Sequence, residues 1–160
     1  MTHNIYKKNY KIMRVILAIA LLCLLIATTA SVEAADFQNI LKQPVIETTI
    51  SLGTSTNELQ FEPNHLEFEA GKRYKLRLIN PSTQKHYFTA KDFADSIWTQ
   101  KVEAGNVEIK GAIHELELKP KAEAEWFFVP LKLGTYSLRC PITGHTEAGM
   151  TGEIIISAER

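Results

Sequence analysis

The chain has 160 residues, 45% of them hydrophobic, and its 18 Lys and Arg residues balance its 18 Asp and Glu residues. The formal net charge is zero, without the excess of basic residues that nucleic-acid binding favours, so we expect no nucleic-acid partner. The length is sufficient for one domain with its own hydrophobic core.

The first 34 residues are typical of a secretory signal peptide. Basic residues come first, an apolar run occupies 15–27, and the small and polar residues that follow end at Val32-Glu33-Ala34. This order predicts a signal peptide over 1–34 that is cleaved after Ala34. The alternative is an uncleaved anchor, but the apolar run is shorter than the roughly 20 residues of a membrane-spanning helix.

Removal of that segment changes the charge and the cysteine content. Residues 35–160 keep 14 basic and 17 acidic residues, a net charge of −3, and they keep one cysteine, Cys140. An intramolecular disulfide is then impossible, and a lone thiol in an oxidising compartment must be buried or bound. We expect 35–160 to form one monomeric domain in the periplasm, with no membrane span once the signal is removed.

Alternating apolar and polar residues predict strands through the first half of this domain. Three stretches have this pattern, at 45–52, 59–68 and 74–80. In the third, Tyr74 and Leu76 lie on one face, because successive side chains of a strand point to opposite sides.

The next segment departs from strand alternation. Phe93 and Ile97 stand at helical spacing, and Thr89 precedes them as a candidate N-cap. We predict a short helical insertion around 89–104, followed by a strand near 107–109.

Strand patterns then resume and continue to the end of the chain. The stretches are 113–118, 126–129, 135–140 and 152–157, with Pro and Gly between them. Some seven or eight short strands with regular turn signals predict an all-β fold, a Greek-key β-sandwich or barrel.

The loop between the last two strands carries three side chains that bind transition metals. Cys140, His145 and Met150 lie in one segment, with glycines that allow tight bends. A thiolate, two imidazoles and a weak thioether form the type 1 copper site. His86, at the end of a separate strand, is the candidate second imidazole. These residues predict one copper ion per chain.

The stretch from Leu59 to Ser157 resembles the cupredoxins, the plastocyanin and azurin group of small copper proteins. The resemblance rests on Asn80 before His86, on Cys140-x4-His145-x4-Met150, and on Gly134-Thr135-Tyr136 and Gly149-Met150-Thr151-Gly152 around them. It implies a Greek-key barrel and a type 1 copper with His86, Cys140 and His145 as equatorial ligands and Met150 as the axial ligand. It also implies one-electron transfer outside the cytoplasm.

Other polar residues have simpler interpretations. His65 is interpreted as a solvated loop residue, His114 as a half-exposed or packed strand residue, and Glu147 as a charge at the rim of the loop. Zinc is the alternative metal, since one Cys and two His bind it, but no carboxylate stands ready as a base and Met is a poor zinc ligand. Asn80 is predicted to bridge the two ligand loops by hydrogen bonding.

The function predicted from these residues is a one-electron carrier that cycles between Cu(II) and Cu(I) and meets redox partner proteins transiently. The alternative is a copper carrier or tolerance protein that sequesters copper or exchanges it with a chaperone. We expect no enzyme, because a type 1 site has no open coordination position for a substrate and no second metal cluster is visible in the sequence.

Overall fold

The computed structural model describes residues 39–158, together with Met13, Leu17 and Ile19. The chain divides into two units, Met1–Lys42 and Gln43–Arg160. The predicted signal peptide lies almost entirely outside the described residues, so its cleavage stays a prediction. Within the described residues, no helix is both long enough and apolar enough to cross a membrane.

The second unit is built almost wholly of strands, with one short helix between the fifth and the sixth. In chain order the elements are β1 (Ile46–Leu52), β2 (Phe61–Glu62), β3 (His65–Glu69), β4 (Tyr74–Ile79), β5 (His86–Thr89), α1 (Lys91–Ala94), β6 (Ile97–Ala104), β7 (Val107–Ile109), β8 (Glu115–Leu118), β9 (Glu123–Pro130), β10 (Gly134–Arg139) and β11 (Thr151–Ser157).

These strands form two sheets that enclose a common core. One has the order β2-β1-β4-β9-β6-β7 and the other the order β3-β11-β10-β5-β8. Each sheet holds one parallel pair, β1 with β4 and β3 with β11, and the remaining pairs are antiparallel. Strands that follow one another in sequence often lie in different sheets, and this arrangement confirms the predicted all-β Greek-key fold.

Aromatic side chains from both sheets fill the core. Phe68 of β3 and Phe128 of β9 meet edge to face, with ring centroids 5.1 Å apart. Phe93 packs against Phe128 in the same way, at 5.5 Å. Burying each such side chain contributes about 1.5–3 kcal/mol to folding, and edge-to-face contacts add to this. The two sheets are therefore held together in a fixed relation, which fixes the positions of the strand ends.

The segment around 89–104 is less helical than predicted. The helix α1 is a single turn, and its N-cap is Ala90, which makes no side-chain capping bond. Thr89 instead donates its hydroxyl to Glu115 across the β5–β8 pair. From Ile97 onward the chain is strand β6, paired with β9. Phe93 and Ile97 are both buried in the core, so their spacing reflects burial rather than a continuous helix.

The ends of three neighbouring strands meet at one end of the sandwich. Strand β10 ends one residue before Cys140, and its antiparallel neighbour β11 begins one residue after Met150. Arg139 of β10 pairs with Thr89 of β5, so His86, three residues earlier in β5, extends beyond the end of β10. The sheet thus brings His86 beside the loop 140–150.

Candidate metal centre

Three of the four predicted copper ligands converge in the interior of the sandwich. The metal-binding atoms of His86, Cys140 and His145 all lie within 4.8 Å of one another. The Sγ atom of Cys140 lies 3.5 Å from Nδ1 of His145, and the centroids of the two imidazole rings are 5.2 Å apart. His86 and Cys140 are completely buried, and His145 is 8% exposed.

Met150, the fourth predicted ligand, is also completely buried and closes the loop. Its carbonyl oxygen accepts a hydrogen bond from the amide of Cys140 at 3.1 Å, and its own amide donates to the carbonyl of His145 at 2.9 Å. The backbone of Met150 is therefore tied directly to both other loop residues of the set.

The loop 140–150 is held in shape by turns and by one side-chain bond. Thr146 donates its hydroxyl to the carbonyl of Cys140 at 2.8 Å. Gly144 and Gly149 have φ angles of 86° and 104°, in the region that residues with a Cβ atom rarely adopt. Glycine at these two positions allows the loop to turn His145 inward beside Cys140.

The thiol of Cys140 receives a hydrogen bond from the neighbouring strand. The backbone N–H of Tyr87 donates to Sγ at 3.4 Å. The ionised form of a cysteine sulfur is the one that binds metals. Hydrogen bonds to a ligating sulfur also adjust the reduction potential of a copper site.

The two ring nitrogens of His86 have different surroundings. Nε2 lies 3.0 Å from the hydroxyl oxygen of Ser82, whereas Nδ1 is buried and has no hydrogen-bond partner. Burial lowers the pKa of His86, and the nearby His145 lowers it further; both effects favour the neutral ring, which is the form that binds a metal. A buried polar atom left unpaired costs about 1–3 kcal/mol, and a metal ion at Nδ1 would remove that cost.

The backbone of Gly53 packs closely against the ring of His86. A Cβ atom at position 53 would lie 2.8 Å from Nε2, and the φ angle of Gly53 is 79°. Both the close approach and the backbone conformation therefore require glycine here. Neither the sequence pattern nor the resemblance pointed to this residue.

These donors fit one type 1 copper ion. A thiol, two imidazoles and a thioether are the side chains such a site uses, and the unpartnered Nδ1 of His86 leaves a coordination bond to be made. Within the described part of the chain no carboxylate joins the cluster, and Glu147 is exposed. The donor set therefore disfavours hard cations such as Mg²⁺ and Ca²⁺, which prefer oxygen ligands.

The predicted hydrogen-bonded bridge from Asn80 to the loop 140–150 is wrong. The side-chain amide of Asn80 donates to three backbone carbonyls outside that loop, those of Gln84, Leu118 and Lys119 at 2.7, 2.9 and 3.1 Å. Its Oδ1 accepts from the amide and the hydroxyl of Ser82 at 3.0 and 2.8 Å. Asn80 thus organises the segment 80–86, and it reaches His86 through Ser82, a residue that the sequence analysis missed.

The two remaining histidines of the described domain lie away from the cluster. His65 is on the surface, 3.1 Å from Glu67 and 3.5 Å from Glu153. His114 is half-exposed, and its Nε2 lies 2.7 Å from Asp95. Their exposure agrees with the sequence interpretation, but His65 is the first residue of β3 and not a loop residue, and His114 lies one residue before β8 and not within the strand.

Comparison with protein families gives one match. The sequence model of the cupredoxin-like domain matches residues 16–156, a range that includes all four predicted ligands. Comparison with curated protein sequences finds no match.

The solved structures that this chain is similar to include copper proteins of low sequence identity. The Cu-containing nitrite reductase NirK from Thermus scotoductus SA-01 aligns over 76% of this chain and 33% of its own, with a TM-score of 0.56 and 12% identity. Auracyanin A, a "blue" copper protein from Chloroflexus aurantiacus, aligns over 71% of this chain and all of its own, with a TM-score of 0.49 and 18% identity. Auracyanin from Roseiflexus castenholzii aligns over 72% and 98%, also at 0.49 and 18%.

The likeness to NirK shows the fold alone, whereas the family match extends over most of the chain and includes the whole ligand loop. The chain belongs to the cupredoxin-like family.

Proposed function

We propose that this protein is a periplasmic electron carrier in which His86, Cys140, His145 and Met150 hold one type 1 copper ion. The observation that carries the proposal is the buried cluster of one thiol and two imidazoles within 4.8 Å, with an unpartnered nitrogen on His86. Copper, when bound, supplies a one-electron Cu(II)/Cu(I) couple that thiolate, thioether and imidazole ligands support.

The way in which the chain holds these side chains suits electron transfer. Ser82 and Gly53 fix the ring of His86, and backbone bonds tie Cys140, His145 and Met150 to one another. Close-packed interiors resist displacement, so ligands set in this core keep their places when the charge of the site changes. Small rearrangement is what a fast one-electron carrier requires.

The surface beside His145 suits a transient partner. His145 is buried but retains 8% exposure, whereas His86 and Cys140 are completely buried. Pro141 and Ala148 are exposed in the same loop, so an apolar patch lies beside the ligand nearest to solvent. An apolar centre with charges around it is typical of short-lived complexes between proteins. We propose that redox partner proteins dock here.

A carrier accounts for the described residues better than an enzyme does. The Thermus scotoductus protein is a nitrite reductase, so this fold occurs in copper enzymes, but the present chain spans a third of that protein. Among the His, Cys, Asp and Glu side chains of residues 39–158, one group of three or more, His86, Cys140 and His145, is close enough to share a metal. With that group used by the electron-transfer copper, they leave no second cluster for substrate chemistry.

The periplasmic location is part of the proposal and rests on the sequence. The N-terminal pattern predicts export, and Cys140 is the only cysteine that would remain afterward. Its burial protects a thiol that would otherwise be oxidised in that compartment. Fractionation of the producing cells, with detection of the processed chain, tests this location.

Visible absorption and EPR spectra during titration with Cu(II) test the copper assignment. The full-length gene is expressed and the protein is purified as the cell processes it. We expect an intense thiolate-to-copper band and narrow copper hyperfine splitting that saturate at one copper per chain, and a reversible one-electron wave in voltammetry. Tight binding of copper without colour and without that wave would favour the alternative, a protein that sequesters or delivers copper.

A further inference from the structure

We propose that the hydroxyl group of Ser82 fixes the tautomer of His86 before any metal binds, with the proton on Nε2 and the lone pair on Nδ1. This inference rests on the proposed function for its effect on copper binding, but its first test needs no copper. The hydrogen bonds among three buried side chains, Asn80, Ser82 and His86, favour one position for the ring proton.

The hydroxyl of Ser82 has one hydrogen and two oxygen atoms close enough to receive it. Its Oγ lies 2.8 Å from Oδ1 of Asn80 and 2.9 Å from the carbonyl oxygen of Gln84. Both atoms can only accept hydrogen bonds, and a hydroxyl hydrogen bonded to either of them is not available to Nε2 of His86. With the hydrogen so placed, Nε2 of His86, 3.0 Å from Oγ, is the donor, whereas a proton on Nδ1 would be a buried N–H with no acceptor.

This count depends on which end of the Asn80 side chain is oxygen, and its surroundings decide that. Three backbone carbonyls lie within 3.1 Å of Nδ2, and only an NH₂ group can donate to them. The other end faces the amide N–H of Ser82 at 3.0 Å and must accept. The orientation of Asn80 follows from its partners, and the direction of the Ser82 hydroxyl follows from Asn80.

The acceptor capacity of Ser82 is also filled. The amide of Gln84 donates to Oγ at 3.1 Å, which uses one lone pair. The Nε2–H of His86 uses the second. The hydroxyl thus donates one bond and accepts two, with no capacity left over.

Burial makes this arrangement exclusive. Asn80, Ser82 and His86 are all buried, so water does not compete for their hydrogen bonds. The backbone of Gly53 lies against the ring at Nε2 and limits the space for another acceptor. In the opposite tautomer the buried N–H at Nδ1 would have no acceptor, and leaving a buried donor unpaired is costly.

The consequence is a ligand prepared in advance. Nδ1 of His86 is buried and unpartnered, and its lone pair is available because the proton is held at Nε2. The opposite tautomer would place a proton on the nitrogen that must bind the metal. Ser82 is therefore a positioning residue, acting on the metal through His86.

NMR of ¹⁵N-labelled full-length protein without metal tests this inference. Long-range ¹H–¹⁵N correlations of His86 distinguish the two tautomers, and we expect the Nε2–H form alone. Ser82→Ala removes the acceptor and should convert this signal to a mixture or broaden it. Ser82→Thr keeps the hydroxyl and should retain the single form.

Ser96→Ala is the matched control. Ser96 is also buried and donates its hydroxyl to a backbone carbonyl, that of Asp92 at 2.7 Å. Its partner is outside the metal cluster, so the His86 signals should not change. Copper affinity is the second readout, and Ser82→Ala should lower it about 10- to 100-fold, as loss of a partner of a ligating histidine does.

Two results would overturn the inference. One is an Nδ1–H signal for His86 in the unmodified protein, a result that needs no variant to fold. The other is a Ser82→Ala protein whose His86 signals and copper affinity match those of Ser96→Ala. A single Nε2–H tautomer that depends on Ser82, in a protein that forms no type 1 copper site, would support the inference and reject the proposed function.

Discussion

The backbone amide of Tyr87 donates a hydrogen bond to the sulfur of Cys140 at 3.4 Å, across 53 positions of sequence. Tyr87 directly follows His86, so the strand that supplies one candidate ligand also contacts another. Displacement of β5 would move the imidazole of His86 and the donor to the thiol together. The strand that carries His86 and the loop that carries Cys140 are thus linked by a hydrogen bond that does not depend on a metal ion.

The substitution Cys140→Ser should abolish the thiolate-to-copper colour and most of the affinity for Cu(I), because a hydroxyl is a poor ligand for the soft Cu(I) ion. Absorption spectra and competition with a Cu(I) chelator measure both effects. Tyr87→Phe is the control, since it keeps the backbone amide that contacts Sγ, and it should retain the colour. Retention of colour and affinity in Cys140→Ser would remove the thiolate from the site.

The substitution Met150→Leu should keep the colour and raise the reduction potential. The thioether is a weak donor that stabilises Cu(II), and leucine removes it while nearly preserving buried volume. Such a swap costs less than about 1.5 kcal/mol of stability, so the folded protein should remain measurable. Voltammetry decides the question, and a lower potential would show that Met150 does not occupy the axial position.

Gly53→Ala and Gly71→Ala form a matched pair. Their φ angles are 79° and 78°, but a Cβ at position 53 would lie 2.8 Å from Nε2 of His86, whereas one at position 71 would have nothing within 4 Å. Both should lose about 1–2 kcal/mol of stability from the left-handed backbone.

The two alanine variants should differ at the metal site. Only Gly53→Ala should also weaken copper binding and shift the visible band, since only it displaces the ring of His86. Thermal unfolding and copper titration of both variants separate the two effects. Equal copper affinities would show that the contact between Gly53 and His86 does not matter.

Acid should weaken an ion pair far from the copper site. The hydrogen bond from Lys91 lowers the pKa of Asp95 below 3.8, and the bond with His114 lowers it further. A carboxyl whose pKa is lower in the folded protein stabilises it above pH 3.8, and this contribution is lost as the pH falls from 3.8 through the folded pKa.

Asp95→Asn should therefore reduce the dependence of the unfolding temperature on pH below 3.8. The effect should be small because the pair is exposed to solvent. Asp92→Asn, in the same helical turn, provides the comparison for removal of a carboxyl. If the two variants show identical unfolding temperatures across this range, the ion pairs of Asp95 contribute nothing.

Features that depend on residues close together in the sequence could be predicted from the sequence. The loop from Cys140 to Met150 could be predicted because its three donors lie within eleven consecutive residues, and the strands because alternation of apolar residues is a local signal. The spacing of Phe93 and Ile97 led to the prediction of a longer helix. The same spacing also occurs when two residues outside a common helix are both buried in the core of a sandwich.

The contacts of Asn80 could not be foreseen from the sequence. Its amide bonds to the carbonyls of Leu118 and Lys119 connect residues 38 and 39 positions apart. These hydrogen bonds form because the end of β8 lies beside the segment 80–86 in the folded protein, and no local sequence pattern predicts that proximity. The hydrogen bond between His86 and Ser82 joins residues four positions apart, but a serine shortly before a histidine is too common in sequences to identify it as a partner of the ring.

The order of strands in the second sheet has a consequence for biosynthesis. β11 is the last described strand in the chain, yet it lies between β3 and β10 and pairs with both. Until residues 151–157 have emerged from the ribosome, β3 lacks its partner and the base of the ligand loop stays open. The nascent chain therefore cannot complete the metal-binding pocket until β11 has been synthesised and has paired with β10.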